Sequence, residues 1–314
     1  MLYFPYSDYL KQKYGEKVYK APVHLPLSCP NRDGTCSTGG CIFCPPIAAG
    51  FENLPADKSV REQLRINMDY IGSRYNAHKF IAYFQNYTNT YLPDRELVRL
   101  LSECDDENIV EISFSTRPDC LTTAQLSLMK NHFEETGVPV TIELGLQSVN
   151  YKTLQKINRG HTLAEFIDAA QNIKNAGLSF GAHIILNLPW DDLTDCIEGA
   201  KILSVLGADS VKLHSLYILH ETEIAKMLQN KEFSLGSKED YFERLAYFLA
   251  YTNPNIAVQR LFARAPKEDA LFVSWNTSWW KLKDEFLEYM KERSLFQGKY
   301  YQYRNGSAVR KKFE

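Results

Sequence analysis

Residues 122–148 read TTAQLSLMKNHFEETGVPVTIELGLQS, a helix and a strand written one after the other. Thr122 and Gln125 have the spacing of a capping box, in which each residue satisfies a backbone N–H that the first turn of a helix leaves without a partner. Leu126, Met129 and Phe133 then recur at helical spacing, and Gly137 offers the left-handed conformation in which helices commonly end. The run VTIELGLQ that follows alternates with period two. Ile142, Leu144 and Leu146 fall on one face, suited to packing against helices, while Glu143, Gly145 and Gln147 fall on the other.

The same phrase recurs on both sides. Ser59 and Glu62 open a helix that leads to the strand KFIAYF at 79–84, and a first strand runs from Val18 to His24. Thr162 and Glu165 cap a helix with the stripe Leu163, Phe166, Ile167 and Ala170, closed by Gly177 before SFGAHIIL. A further helix from Leu193 stops at Gly207 before SVKLHSL. Strands alternating with helices in this way predict a parallel α/β architecture, a partial (β/α)6 TIM-like barrel of six such units. In such barrels chemistry gathers at the C-terminal ends of the strands. The polar exceptions lie there: a cysteine loop after the first strand, Gln85 after the second, Ser115 to Asp119 after the third, Gln147 and Ser148 at the end of the fourth. Glu143 points into the barrel, where a carboxylate is costly unless it is paired or bound to a ligand. His183, and Lys212 with His214, point the same way on later strands, so an internal Glu143–Lys212 ion pair is the structural alternative to ligand binding.

The cysteine loop reads CPNRDGTCSTGGCIFCPP. Cys41 and Cys44 are spaced to grip one metal centre from a single turn, and the intervening glycines let the chain bring Cys29 back to it. Three thiolates leave one coordination position open, which is the mark of a reactive centre. Cys36 leaves a second reading standing: with Cys29, Cys41 and Cys44 it makes a four-thiolate structural zinc site, and the protein a binding module. Cys104 and Cys196 fall at apolar helix positions, as small buried hydrophobes do, and Cys120 lies beside a strand end.

The wording around these cysteines resembles the radical S-adenosylmethionine (SAM) superfamily, in particular its YhcC/YtqA-like branch, related to the elongator catalytic subunit. The stretches AYFQNYTNTY (82–91), FSTRPDCL (114–121), IELGLQS (142–148), INRGHT (157–162), HIILNLP (183–189) and VKLHSLYI (211–218) carry that resemblance through two thirds of the chain. It implies that Cys29, Cys41 and Cys44 hold a [4Fe-4S] cluster whose open iron binds SAM. Reductive cleavage there gives a 5′-deoxyadenosyl radical, with an electron donor such as a flavodoxin or ferredoxin. It further implies that Arg159 takes the SAM carboxylate, that Gln147 lies at the methionine moiety or ribose, that His183 faces the ribose, that Glu143 and Gln85 belong to the same cofactor site, and that Leu188 and Pro189 lie near adenine. Relatives commonly read GLPGE where this chain has Asn187, Leu188, Pro189, Trp190 and Asp191, so added side chains are expected to narrow that turn. The branch implies an RNA substrate, tRNA foremost, with a protein or small molecule as the alternative; the elongator subunit's acetyl-transfer fingerprint is not apparent.

The 314 residues, 45% hydrophobic and 24% charged, are those of a globular enzyme with one catalytic domain plus an elaboration. We divide them into a core barrel at 1–236 and an α+β extension at 237–314 expected to cap it. No run approaches the roughly 20 apolar residues of a membrane span, no secretory signal opens the chain, and seven cysteines of odd count suit a reducing compartment, so a cytoplasmic location is expected. A net charge of −2 excludes a general nucleic-acid coat but not a local basic groove. Arg304, Arg310, Lys311 and Lys312 make the C-terminal end basic. Tyr83, Tyr87 and Tyr91, and Trp275, Trp279 and Trp280, are clustered aromatics expected mainly in packing.

Overall fold

The computed structural model describes residues 1–45, 54–265 and 268–313. Pro46, the last residue of the cysteine stretch, lies outside them. Helix α1 (Tyr6–Tyr14) precedes strand β1 (Val18–Val23). Then come α2 (Val60–Tyr75), β2 (Lys79–Phe84), α3 (Asp94–Glu103), β3 (Ile109–Thr116), α4 (Thr123–Thr136) and β4 (Val140–Gln147). After β4 follow α5 (Tyr151–Lys156), α6 (Leu163–Asn175), β5 (Ser179–Ile185), α7 (Leu193–Leu206) and β6 (Ser210–His214). The remainder carries β7 (Ile218–Leu219), α8 (Glu223–Gln229), α9 (Lys238–Tyr251), β8 (Ala257–Arg260), β9 (Ala270–Phe272), α10 (Trp279–Glu292) and α11 (Ser307–Phe313).

All six expected strands form and pair in parallel, in the order β1-β2-β3-β4-β5-β6. The sheet does not end there. Strand β8, from the segment expected to cap the barrel, pairs in parallel with β6, Ser210 opposite Ala257 and Lys212 opposite Arg260. The extension therefore supplies a seventh strand as well as covering elements. Apolar strand residues and the helix stripes share one core: Ile142, Leu144 and Leu146 are fully buried with Phe166 and Met129, and the rings of Phe84 and Phe114 stack at 4.5 Å. Removing a ring such as that of Phe166 from this core costs about 3–5 kcal/mol, transfer and cavity terms together. The capping boxes at Thr122 and Thr162 form as expected. At α2 the Ser59 side chain accepts from the Glu62 N–H, but the Glu62 carboxylate pairs with Lys58 instead of closing the box.

Because a seven-stranded sheet of this curvature leaves a gap between β1 and β8, something must satisfy the two edges. Helix α1 does part of this. Lys13 and Tyr14 reach the buried Glu111 near the start of β3, at 2.8 and 2.5 Å. The Phe4 carbonyl accepts from the Val258 N–H, so the chain's first residues run beside β8. Side chains also bridge the seam directly: Lys20 on β1 donates to the Gln259 amide oxygen on β8 at 2.7 Å.

Candidate active site

The loop after β1 turns tightly enough to put its thiols together. The Arg32 N–H bonds the Cys29 carbonyl at 2.7 Å, the Gly40 N–H the Asn31 carbonyl at 2.8 Å, and the Cys44 N–H the Cys41 carbonyl at 2.8 Å. The turn Asn158–His161 after α5 clamps it. Asn158 donates to the carbonyls of Gly40 (2.8 Å) and Thr38 (3.2 Å), and Ser37 donates back to the Asn158 side chain at 3.0 Å. Gly160 belongs here because its φ is +77° and a Cβ would lie 2.3 Å from the Asn31 side-chain oxygen.

Three donors point at the sulfurs. Arg159 reaches Cys41 Sγ at 3.5 Å, the buried Asn31 amide reaches the same sulfur at 3.7 Å, and Arg32 reaches Cys44 Sγ at 3.1 Å. Burial pushes the Cys44 thiol up, and Arg32 works against that shift. Gly145, on the inner face of β4, makes room for the guanidinium: a Cβ there would stand 2.7 Å from Arg159 Nη2, which donates to the Gly145 carbonyl at 2.6 Å. His161 bonds the same carbonyl at 3.0 Å, and its acidity is brought down to about 3 by burial and by Arg159, so the ring is neutral and donates from Nε2. Behind Arg159 lies Arg117, wholly buried, which grips Asp119 through Nε (2.8 Å) and Nη2 (2.6 Å) and donates from Nη1 to the Arg159 carbonyl at 2.7 Å.

This shell is incomplete as built. The Asn31 side-chain oxygen and Arg159 Nε are buried with no hydrogen-bond partner. Buried polar atoms are nearly always satisfied, so their orphaning beside a set of thiols, with cationic and amide donors aimed at those thiols, fits a large anionic sulfur-ligated group. It fits a four-thiolate zinc site poorly. Cys36 is exposed and turned toward Asp119 Oδ2 at 3.9 Å, on a separate cleft of about 550 Å³ shared with Tyr91 and Cys120. Among the described residues no three His, Cys, Asp or Glu side chains converge closely enough to hold a single metal ion.

The second polar cluster fills the barrel interior. Glu143 is wholly buried, and its oxygens accept from Tyr83 (2.9 Å), His183 Nε2 (2.8 Å), Gln259 (2.8 Å) and Lys20. Lys212 stands at 4.0 Å from it and donates to the Tyr83 hydroxyl at 2.7 Å. Burial alone would raise the Glu143 carboxyl; Lys20, Lys212 and His183 hold it well below its ordinary value. His183 is pushed down to about 4 by burial and by Lys212, so it is neutral. The anticipated Glu143–Lys212 pairing thus exists, as the longest of several contacts.

Gln147 ends β4 with φ +77°, a conformation uncommon for any residue but glycine, at a shift in the β4–β5 register. Gln85 borders the seam between β1 and β8 together with Tyr83. The NLPWD turn departs from expectation. Asn187 turns its oxygen to the Leu216 N–H at 2.6 Å, and Trp190 packs on Phe233 with Lys156 over its ring. The added bulk is absorbed by the small core behind the cysteine loop, in which Leu188 is itself fully buried. Cys104 and Cys196 are buried as expected, Trp279 and Trp280 are exposed, and Arg310, Lys311 and Lys312 lie on the exposed α11. Asn31, Arg32, Arg117, Lys20 and Gln259 escaped sequence reasoning; only Arg117 stood in a stretch already singled out.

A family model described as the radical SAM superfamily matches residues 34–198, and one described as the radical SAM C-terminal domain matches 208–292. The chain belongs to the radical SAM superfamily. The first match takes in Cys41, Cys44, Gln147, Arg159 and His183, with Cys29 just before it. Protein YhcC of Escherichia coli K12 is 32% identical over 287 residues, 91% of each chain, and YtqA of Bacillus subtilis is 30% identical over 313 residues, 95% of this chain and 96% of its own. Of solved structures, Methanocaldococcus infernus Elp3 lacking its N-terminus superposes with a TM-score of 0.67 at 17% identity, over 89% of this chain and 64% of that one. A tRNA uridine(34) acetyltransferase from Methanocaldococcus jannaschii is 24% identical over 155 residues, 48% of this chain and 28% of its own. The radical SAM barrel and its enzymatic class are thereby established. Among the described residues no helix is long and apolar enough to cross a membrane.

Proposed function

We propose that Cys29, Cys41 and Cys44 ligate a [4Fe-4S] cluster, that SAM binds at its open iron, and that the enzyme modifies a nucleoside of RNA, tRNA foremost, in the cytoplasm. The observation that carries the cofactor reading is the donor shell: Arg159, Asn31 and Arg32 face the Cys41 and Cys44 sulfurs while Asn31 and Arg159 keep buried atoms without partners. When bound, the pair supplies one-electron cleavage of SAM and hydrogen-atom abstraction, with a flavodoxin or ferredoxin as electron source.

The chain's own residues position and shield. Arg159, held by Arg117 from behind and by Gly145 from the side, offers a planar fork for the SAM carboxylate. Gln147, held out of ordinary strand geometry, takes the methionine moiety or ribose. His183 meets the ribose with the ring nitrogen that Glu143 does not use, and Glu143, fully bonded, fixes that ring; Gln85 closes the same interior from β2. The buried walls of β4 and β5 keep water from the reacting atoms. For the RNA substrate the support is the relatives that act on tRNA uridine, matched over half of this chain.

The test is anaerobic reconstitution followed by assay of 5′-deoxyadenosine with SAM and a strong reductant. Stoichiometric iron and sulfide with product formation is expected, and turnover should rise when bulk tRNA is added. Iron-free protein with bound zinc would overturn the cofactor reading, and indifference to every RNA would overturn the substrate.

A further inference from the structure

A cleft of about 460 Å³ opens through the seam between β1 and β8 into the barrel. Four cations line it: Lys20 from β1, Lys212 from β6, Arg260 from β8 and Lys283 from α10. Among the described residues lining it there is no Asp or Glu. None of Asn31, Arg117 or Arg159, which hold the cysteine loop, lines it either, so the cleft is distinct from the cofactor shell. Two tyrosines give it flat walls. Lys20 Nζ stands 4.0 Å from the centre of the Tyr83 ring and 5.4 Å from that of Tyr6, and Lys212 Nζ stands 5.0 Å from that of Tyr83.

The charge balance is uneven. One buried carboxylate, Glu143, answers Lys20 closely and Lys212 only at 4.0 Å, with Arg260 opposite Lys212 on the neighbouring strand. Partly buried cations crowded in this way gain from a further anion, because each is desolvated and repels the others. We propose that this cleft is the substrate's docking site, where the cations take an oxyanion, phosphate or carboxylate, carried by a substrate that lays a flat ring against the tyrosines. Lys212 behaves accordingly: burial, with Lys20 and Arg260 near it, brings it down to about 7, as expected of an ammonium that lacks a full counter-charge. Two of the four cations come from the extension, so these residues, outside the six-strand core, help to choose the substrate. The inference deepens the proposed function by adding a chemical feature of the substrate, and for its role in turnover it rests on that reading.

The experiment measures equilibrium binding of uridine, uridine 5′-monophosphate and orotate to the reconstituted holoenzyme, with 5′-deoxyadenosine formation followed on the same preparations. At least one of the two anions should bind about tenfold more tightly than uridine and weaken with added salt. Preference for the monophosphate assigns a phosphate, preference for orotate a carboxylate. Lys283→Gln, a change at a half-exposed helix position, should loosen the anion severalfold with SAM cleavage unchanged, and Lys212→Gln should loosen it further. Equal affinity for uridine and both anions, or anion affinity unmoved in both variants, overturns the proposal. Charge-selective binding without SAM cleavage removes the radical reading and keeps the cleft; cleavage with charge-blind binding does the reverse.

Discussion

Two polar clusters occupy one barrel and differ in how completely they are satisfied. Around the thiols, Asn31 and Arg159 keep buried atoms without partners. Around Glu143, both carboxylate oxygens carry multiple donors drawn from β1, β2, β5 and β8. The contrast teaches where each region spends its buried polarity: an incomplete shell suits a group still to bind, whereas a complete one ties strands together across a gap that backbone pairing leaves open. The sharpest way to break the contrast is to remove a thiol. Cys41→Ala should abolish cluster assembly and reduce 5′-deoxyadenosine below detection, while Cys36→Ala should keep both its iron and its activity. Iron analysis and product assay on the two proteins check this, and equal loss in both would return Cys36 to the ligand set.

Glu143 should instead show itself as a stability residue. Glu143→Gln leaves Lys20 and Lys212 without their buried counter-charge, which costs about 3–5 kcal/mol in urea unfolding at neutral pH. The sign follows from the depressed carboxyl. Its contribution is full above the unfolded value near 4.5 and is lost as pH falls toward the lower folded value. His183 adds in the same direction, because a ring brought down to about 4 stays neutral when folded and so loses stability as pH falls from 6.5. The acid limb of the stability curve should therefore be steep in the native chain and flatter in Glu143→Gln.

The site's legibility divides along similar lines. Local signals were readable because their causes are local: Thr122 with Gln125, Gly137 after its helix, the alternation of Glu143 against Ile142 and Leu144, and the Cys41–Cys44 spacing each act within a few residues. The partners of Glu143 were not readable. Lys20 lies 123 positions before it and Gln259 lies 116 after it, so only closure of the sheet brings them together. The same reason hid β8, a strand recognisable in itself whose parallel partner β6 is separated from it by two helices. Glu111 with Lys13 and Tyr14 is a third case: an N-terminal helix packs under a barrel whose closing could not be inferred from its own sequence.

Between the two clusters Arg117 is the residue that ought to separate positioning from packing. It touches no sulfur; it donates to the Arg159 carbonyl and is itself anchored on Asp119. Arg117→Lys keeps the charge but loses the fork, so Arg159 should sit less firmly and the KM for SAM should rise about tenfold, the worth of one charge-assisted hydrogen bond, with kcat changed less. A fall in thermal stability with an unmoved KM would make Arg117 a core residue and nothing more.

The smallest effect tests whether an orphaned buried atom marks a ligand site on its own. Asp191, in the NLPWD turn, is 7% exposed and its Oδ1 has no hydrogen-bond partner. Burial raises its carboxyl from 3.8 to about 6. A raised acid contributes stability below the unfolded value of 3.8 and loses it as pH climbs through about 6, so at pH 7 the ionised group costs the fold about 1–3 kcal/mol. Asp191→Asn removes that cost, and it should be more stable than the native chain at pH 7 and indistinguishable from it near pH 4, as read by urea midpoints at the two values. With the KM for SAM unchanged, Asp191 is a strained carboxylate of the turn, and orphaned atoms point to a bound group only where donors also converge on thiols, as they do at Asn31 and Arg159. A raised KM would extend the incomplete shell to the NLPWD turn and move the border between the two clusters.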